Sequence, residues 1–204
     1  MRTQTKDIQE DLIPKDAHGI LVEGNKRFVQ NVKAQRNLKE QVFETSKGQF
    51  PIAVILSCID SRVPVEIVFD QGIGYIFSVR VAGNIINEDV LGSLEYACKV
   101  AGSKIVVVLG HTKCGAVRAA CKNVKMGNIT PLLLKIKPAV DIISSENTEM
   151  HDQAIERVAI KNVQLSIERI RTESTILSDM ERNGKIEIVG ALYSVSTAEV
   201  EFFE

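Results

Sequence analysis

Five residues in two short runs carry the chemistry this sequence can perform. Cys58, Asp60 and Arg62 fall in Cys58-Ile59-Asp60-Ser61-Arg62, and His111 and Cys114 in His111-Thr112-Lys113-Cys114-Gly115. Two thiols and an imidazole suit zinc, a borderline-soft ion. Three protein ligands leave a fourth position for water or substrate, whereas structural zinc sites close with four. No fourth Cys or His accompanies the three, and no Cys-x-x-Cys spacing suggests a dithiol redox pair.

His111 and Cys114 are close enough to reach one ion from a single turn, while Cys58 must arrive from another part of the fold. A helix starting beside Cys114 would favour its thiolate through aligned peptide dipoles, and Gly115 leaves room for a ligand near the backbone. Asp60 and Arg62 read as an orienting dyad. Ion pairing with Arg62 lowers the pKa of Asp60, and an ionised carboxylate only accepts hydrogen bonds. It would accept one from zinc-bound hydroxide and aim the oxygen at a substrate. The alternative is a closed, inactive form in which Asp60 is itself the fourth zinc ligand. Taken singly, Asp60 and Arg62 would be a strand-end surface pair and His111 a structural histidine. Their coincidence with two cysteines at two strand ends points to metal.

Those strand ends come from apolar stretches, Pro51 to Ser57 and Lys104 to Gly110, each followed by a ligand run. Ligands in open α/β sheets bind beyond the carboxyl ends of the strands. Tyr75 to Val81 and Ile186 to Tyr193 read as further strands, and Glu199 to Phe203 as a hairpin partner across Ser196-Thr197. Helices are predicted from a cap at Asp16, between Lys39 and Gly48, and over Glu88 to Val100. Others follow over Ala116 to Lys122, from Thr130 or Pro131 through Ile143, and from His151 to Arg182 with an interruption at Thr172 to Thr175. Strands apolar on both faces alternating with helices make this an α/β fold. We expect a mainly parallel central sheet flanked by helices, a single domain over 1–204 with an N-terminal helical arm over 1–40, and a C-terminal strand hairpin.

Composition narrows the partners. Twenty-five Lys and Arg face 26 Asp and Glu, a formal net charge of -1, so no long-range field draws nucleic acid or an anionic membrane. No apolar run is long enough to cross a bilayer, and the first residues lack the apolar core of a secretory signal. Four irregularly spaced cysteines do not make a disulfide framework; Cys98 and Cys121 read as small buried helix residues. The expected compartment is the cytoplasm, or the periplasm if a leader has been removed upstream.

Cys-x-Asp-x-Arg followed some fifty positions later by His-x-x-Cys-Gly resembles the β-class carbonic anhydrases, from about Ile13 onward. The resemblance implies one zinc per chain on Cys58, His111 and Cys114, with Asp60 and Arg62 as the catalytic dyad. Gln49 is similar to a substrate-binding glutamine of the family. Phe77 and Tyr96 resemble its aromatic pocket residues, and Ala82 stands where valine is frequent. The implied reaction is reversible hydration of carbon dioxide to bicarbonate and a proton by attack of zinc-bound hydroxide. The implied assembly is a homodimer or a tetramer of paired dimers, with the pocket at a subunit interface and N-terminal helices on the neighbouring subunit. Some members bind inhibitory bicarbonate at a Trp, an Arg and a Tyr. Arg80 and Tyr193 match two of these, but Ile55 replaces the Trp. No proton shuttle is evident beyond titratable His18 and His151. Two other readings keep the metal: hydrolysis of carbon disulfide or carbonyl sulfide, and a structural zinc in a scaffold.

Overall fold

The computed structural model describes residues 3–146 and 150–203. In chain order its helices are α1 (Lys6–Asp11), α2 (Pro14–Val29), α3 (Leu38–Thr45), α4 (Val65–Val68), α5 (Glu88–Glu95), α6 (Gly115–Cys121), α7 (Ile129–Leu134), α8 (Lys137–Ser145), α9 (Asp152–Glu173) and α10 (Thr175–Arg182). The strands are β1 (Ala53–Ser57), β2 (Ile76–Arg80), β3 (Ile105–His111), β4 (Glu187–Tyr193) and β5 (Val200–Phe203). They form one sheet in the order β2-β1-β3-β4-β5. The first four are parallel, and β5 returns antiparallel to β4 with Gly190 opposite Phe203 and Tyr193 opposite Val200. A mainly parallel sheet flanked by helices and a C-terminal hairpin are as the sequence predicts.

Every residue of β1 and β3 is buried, as expected of central strands covered on both sides. On one face Ala53, Ile55, Val107 and Leu109 pack with Ala17 and Leu21 of α2 and with Val68. On the other, Val54, Leu56, Val106 and Val108 meet Leu94 of α5 and Val163 and Ile167 of α9. Alternation along each strand thus feeds two cores. A third cluster covers the carboxyl ends of the strands, where Cys58 and Cys114 lie among Val117 of α6, Ile136, Val140 of α8 and Val158 of α9. At Gly110 an added Cβ would stand 2.8 Å from Val163 Cγ2, so glycine there lets α9 seat against the end of β3.

Several boundaries differ from the sequence reading. The helix expected from Asp16 starts at Pro14, with Ile13 as N-cap; the Asp16 carboxylate accepts from the Ile13 N–H at 3.2 Å. Proline suits the first helical turn, where its missing N–H costs nothing. The single helix predicted from Thr130 to Ile143 is two, because Pro138 in the first turn of α8 would collide with the carbonyl one turn back if the helix ran through. Past Glu95, Tyr96–Val100 continues the helix as a π-helical turn. The short α1 and α4 have no sequence periodicity to reveal them. In α1, Gln9 is buried and donates to the carbonyls of Pro51 (2.7 Å) and Ala101 (2.8 Å), which fastens the helix to the loops before β1 and β3. In the arm predicted over 1–40, α2 packs on its own sheet; α3, which begins at the end of that arm, exposes Leu38, Val42 and Phe43. Among the described residues no helix is long and apolar enough to cross a membrane.

Candidate metal centre

Strand register brings the two runs together. Ser57 pairs with Leu109, so Cys58, one residue on, is level with Gly110 and adjacent to His111 at the tip of β3. Thr112 and the left-handed Lys113 (φ 55°) then turn the chain, placing Cys114 as the N-cap of α6. All three ligand atoms lie within 4.8 Å of one another, and all three residues are buried.

The imidazole is poised for a metal. His111 Nδ1 donates to the Thr112 carbonyl at 2.9 Å, which leaves the Nε2 lone pair free. That buried nitrogen has no hydrogen-bond partner, a costly arrangement unless something else satisfies it. Metal-bound histidines characteristically give their other N–H to a carbonyl in this way. Cys58 is drawn down to about 4 by its hydrogen bond with Cys114, against the effect of burial and with help from His111 and the Gly83 N–H. Cys114 is pushed up by the adjacent Cys58 and by burial. The two thiols therefore hold one proton between them, which a divalent cation would displace. The trio fits zinc by donor type, burial and this unfilled lone pair.

The dyad is formed as well. Arg62 donates to Asp60 from Nε to Oδ1 (2.9 Å), from Nη2 to Oδ2 (2.8 Å) and from its backbone N–H to Oδ1 (3.0 Å). Its Nη2 also reaches the Lys113 carbonyl at 3.3 Å, tying the dyad to the His111–Cys114 turn. These hydrogen bonds from Arg62 hold the Asp60 carboxyl well below the usual carboxylate range. Both carboxylate oxygens face Arg62, so Asp60 stands beside the ligand trio rather than in it. The closed form, with Asp60 as fourth ligand, is not the conformation described.

Arg80, the last residue of β2, donates to the carbonyls of Cys58 (3.1 Å) and Asp60 (2.6 Å). It clamps the ligand loop, a role distinct from the inhibitory-bicarbonate position that the resemblance suggested for Arg80. Tyr193 is in register with His111 and buried. Ile55 lies fully buried within β1.

The expected pocket residues divide. Ala82 opens the short turn Ala82–Asn84, whose Gly83 N–H reaches Cys58 Sγ at 3.3 Å. Gly115 begins α6, and a Cβ there would meet only open space, so packing within the chain does not require glycine. Phe77 and Tyr96 line one groove of about 570 Å³. Phe77 is level with Val54, four residues before Cys58 and so about 13 Å along the strand from it. Gln49 is exposed before the start of β1, at the opposite end of the strand from Cys58. Within one chain these three residues do not join the metal centre. Neither does His18, one of the two histidines considered for proton transfer. His18 Nδ1 lies 3.2 Å from Glu187, at the opposite end of the sheet from His111, and the His151 ring caps α9.

Residues 53–200 match the family model described as carbonic anhydrase. Carbonic anhydrase 2 of Mycobacterium tuberculosis is 35% identical over 195 residues, 89% of each chain. A solved β-carbonic anhydrase of Aspergillus fumigatus is similar with a TM-score of 0.75 and 25% identity, covering 93% of this chain and 90% of that one. A tetrameric β-carbonic anhydrase of Sordaria macrospora shares the fold, with a TM-score of 0.73 at 21% identity over 93% of this chain and 92% of that one.

Proposed function

Because the chain belongs to the β-class carbonic anhydrases, a family of zinc enzymes, we propose that it interconverts carbon dioxide with bicarbonate and a proton at a zinc ion held by Cys58, His111 and Cys114. The observation that carries this reading is the buried, unpartnered His111 Nε2 beside two thiols and a formed Asp60–Arg62 dyad. When bound there, zinc would supply a nucleophile from water near neutral pH.

The remaining work falls to the protein. Asp60, held ionised by Arg62, accepts a hydrogen bond from the attacking oxygen and directs its lone pair at the carbon. Arg62 fixes that carboxylate at two points and is steadied by Lys113. Arg80 holds the Cys58–Asp60 backbone against the end of β2. Ala82 flanks the site with apolar surface suited to an uncharged, linear substrate. Two thiolates donate more charge to zinc than neutral imidazoles would, so activity rises with pH above neutrality.

A second copy of the chain completes the pocket in this proposal, bringing its Gln49, Phe77 and Tyr96 to the metal centre. Support comes from their separation from Cys58 within one chain and from the 56% exposure of Tyr96. The homodimer is the minimum unit and pairs into a tetramer, as tetrameric relatives do. The proposed setting is the cytoplasm, where reducing conditions keep the thiol ligands available.

Stopped-flow hydration of carbon dioxide across pH, on protein of measured zinc content and with Asp60→Asn beside it, tests the proposal. About one zinc per chain and activity lost in the variant are expected. Zinc without activity at any pH would leave the metal centre standing and discard the reaction.

A further inference from the structure

α9 runs beneath the ligand loops with a buried stripe that includes Val158, Ala159, Val163 and Ile167. The stripe is apolar except for Asn162 and Ser166. An amide within a helix is a weak helix former, and burying it is costly unless it is paired. Asn162 is paired: Nδ2 donates to the Gly83 carbonyl at 2.9 Å.

Gly83 links that amide to the ligand set. Its φ of +69° lies in the left-handed region, and an added Cβ would stand 2.6 Å from Ile136 Cδ1 and 3.3 Å from Ala116 Cβ. The turn is therefore closely packed as well as conformationally special. While its carbonyl receives Asn162, its N–H points at Cys58 Sγ, 3.3 Å away. One residue thus carries a hydrogen bond to the metal-binding sulfur on its amide side and a hydrogen bond from α9 on its carbonyl side.

We propose that Asn162 is a positioning residue for the metal centre, holding the Gly83 turn so that its N–H stays on Cys58 Sγ. An N–H on a ligating sulfur draws off part of the charge the sulfur would donate and fixes its direction. Through Gly83, Asn162 therefore sets both the aim of the Cys58 ligand and its electron donation to the metal. This rests on the reading of Cys58, His111 and Cys114 as metal ligands.

The test replaces zinc with cobalt(II), whose thiolate charge-transfer band reports on the sulfur directly. Asn162→Leu and Asn162→Ala both delete the donor, and the alanine variant carries the test if leucine does not fold. Ser166→Ala, one turn along the same buried stripe, controls for loss of a polar group from α9. Both Asn162 variants are expected to move the band to longer wavelength and to weaken cobalt binding about tenfold in competition with a chelator. Ser166→Ala is expected to leave both at wild-type values. Asn162 variants with the wild-type band and affinity, or with shifts that Ser166→Ala reproduces, overturn the inference alone. Wild-type protein that takes up no cobalt overturns the metal reading and this inference with it.

Discussion

Asp60 Oδ2 lies 3.9 Å from His111 Nε2, so the carboxylate of the dyad sits beside the metal-facing nitrogen while both its oxygens are engaged by Arg62. The guanidinium is what keeps that carboxylate turned from the ligand trio.

Arg62→Ala removes this hold and frees Asp60 to turn toward the metal. We expect hydration activity to fall about ten- to a hundredfold with zinc content unchanged. Arg62 lowers the pKa of Asp60, and without it the carboxyl returns toward about 3.9. Both values lie below the working range. Protonation of Asp60 therefore adds nothing above pH 6, while a carboxylate turned onto the metal competes with hydroxide. The loss should be deepest at the acid end of a stopped-flow profile and shrink as pH rises, and a uniform loss would contradict it.

Zinc uptake should release protons in a telling number. Cys58 already ionises at about 4, whereas the neighbouring thiolate keeps Cys114 protonated. Binding near pH 6.5 then displaces about one thiol proton rather than two. Ultraviolet thiolate absorbance of the apoprotein reads the state directly; no thiolate absorbance at this pH before zinc is added would mean that Cys58 is not ionised beforehand.

If pockets are shared between copies, two defective chains should rescue each other. Cys58→Ser abolishes zinc binding in its own chain, and Gln49→Ala lowers activity about tenfold by removing one hydrogen bond. A mixed dimer pairs the intact ligands of one chain with the intact Gln49 of the other. Activity recovered on mixing, above the sum of the two parents, is expected; no recovery would place Gln49 elsewhere.

Asp70 tests the fold apart from the metal. Its buried carboxylate accepts from Arg27 Nε and Arg36 Nη1, each at 2.6 Å, and from the Ala34 N–H. It thereby pins the segment after α2 to the loop after α4. Asp70→Asn should cost about 2–3 kcal/mol, modest for a buried pair because Arg27 stays 29% exposed. This is roughly 5–10 °C in melting temperature. Burial raises the pKa of Asp70, but the two arginines bring it below its ordinary value. The folded chain therefore binds this proton less tightly than the unfolded chain. The contribution is complete above about pH 4 and disappears as pH falls through the folded pKa. Melting curves of wild type and variant should converge in acid; a gap that stays constant would assign the effect to packing.

The ligand trio, the dyad and the sheet were legible in the sequence because their signals are local. Cys58 and Asp60 follow a continuous apolar run, His111 and Cys114 follow another, and two fully buried parallel strands with helices between them leave little choice of architecture. Boundaries set by single residues, such as the start of α2 at Pro14 and the break before α8 at Pro138, depend on steric detail that periodicity does not carry. The clamp made by Arg80 and the contacts of Gly83 and Asn162 could not be read from the sequence. An arginine clamping two carbonyls, a left-handed glycine directing its N–H at a sulfur, and an asparagine 79 positions further on donating to its carbonyl leave no spacing in the chain. Only the tertiary structure decides them, because unpaired backbone groups beside the buried site must find partners wherever packing brings a donor. The sequence determined which side chains could hold a metal; the packing of α9 and β2 against the strand ends decided how they are aimed.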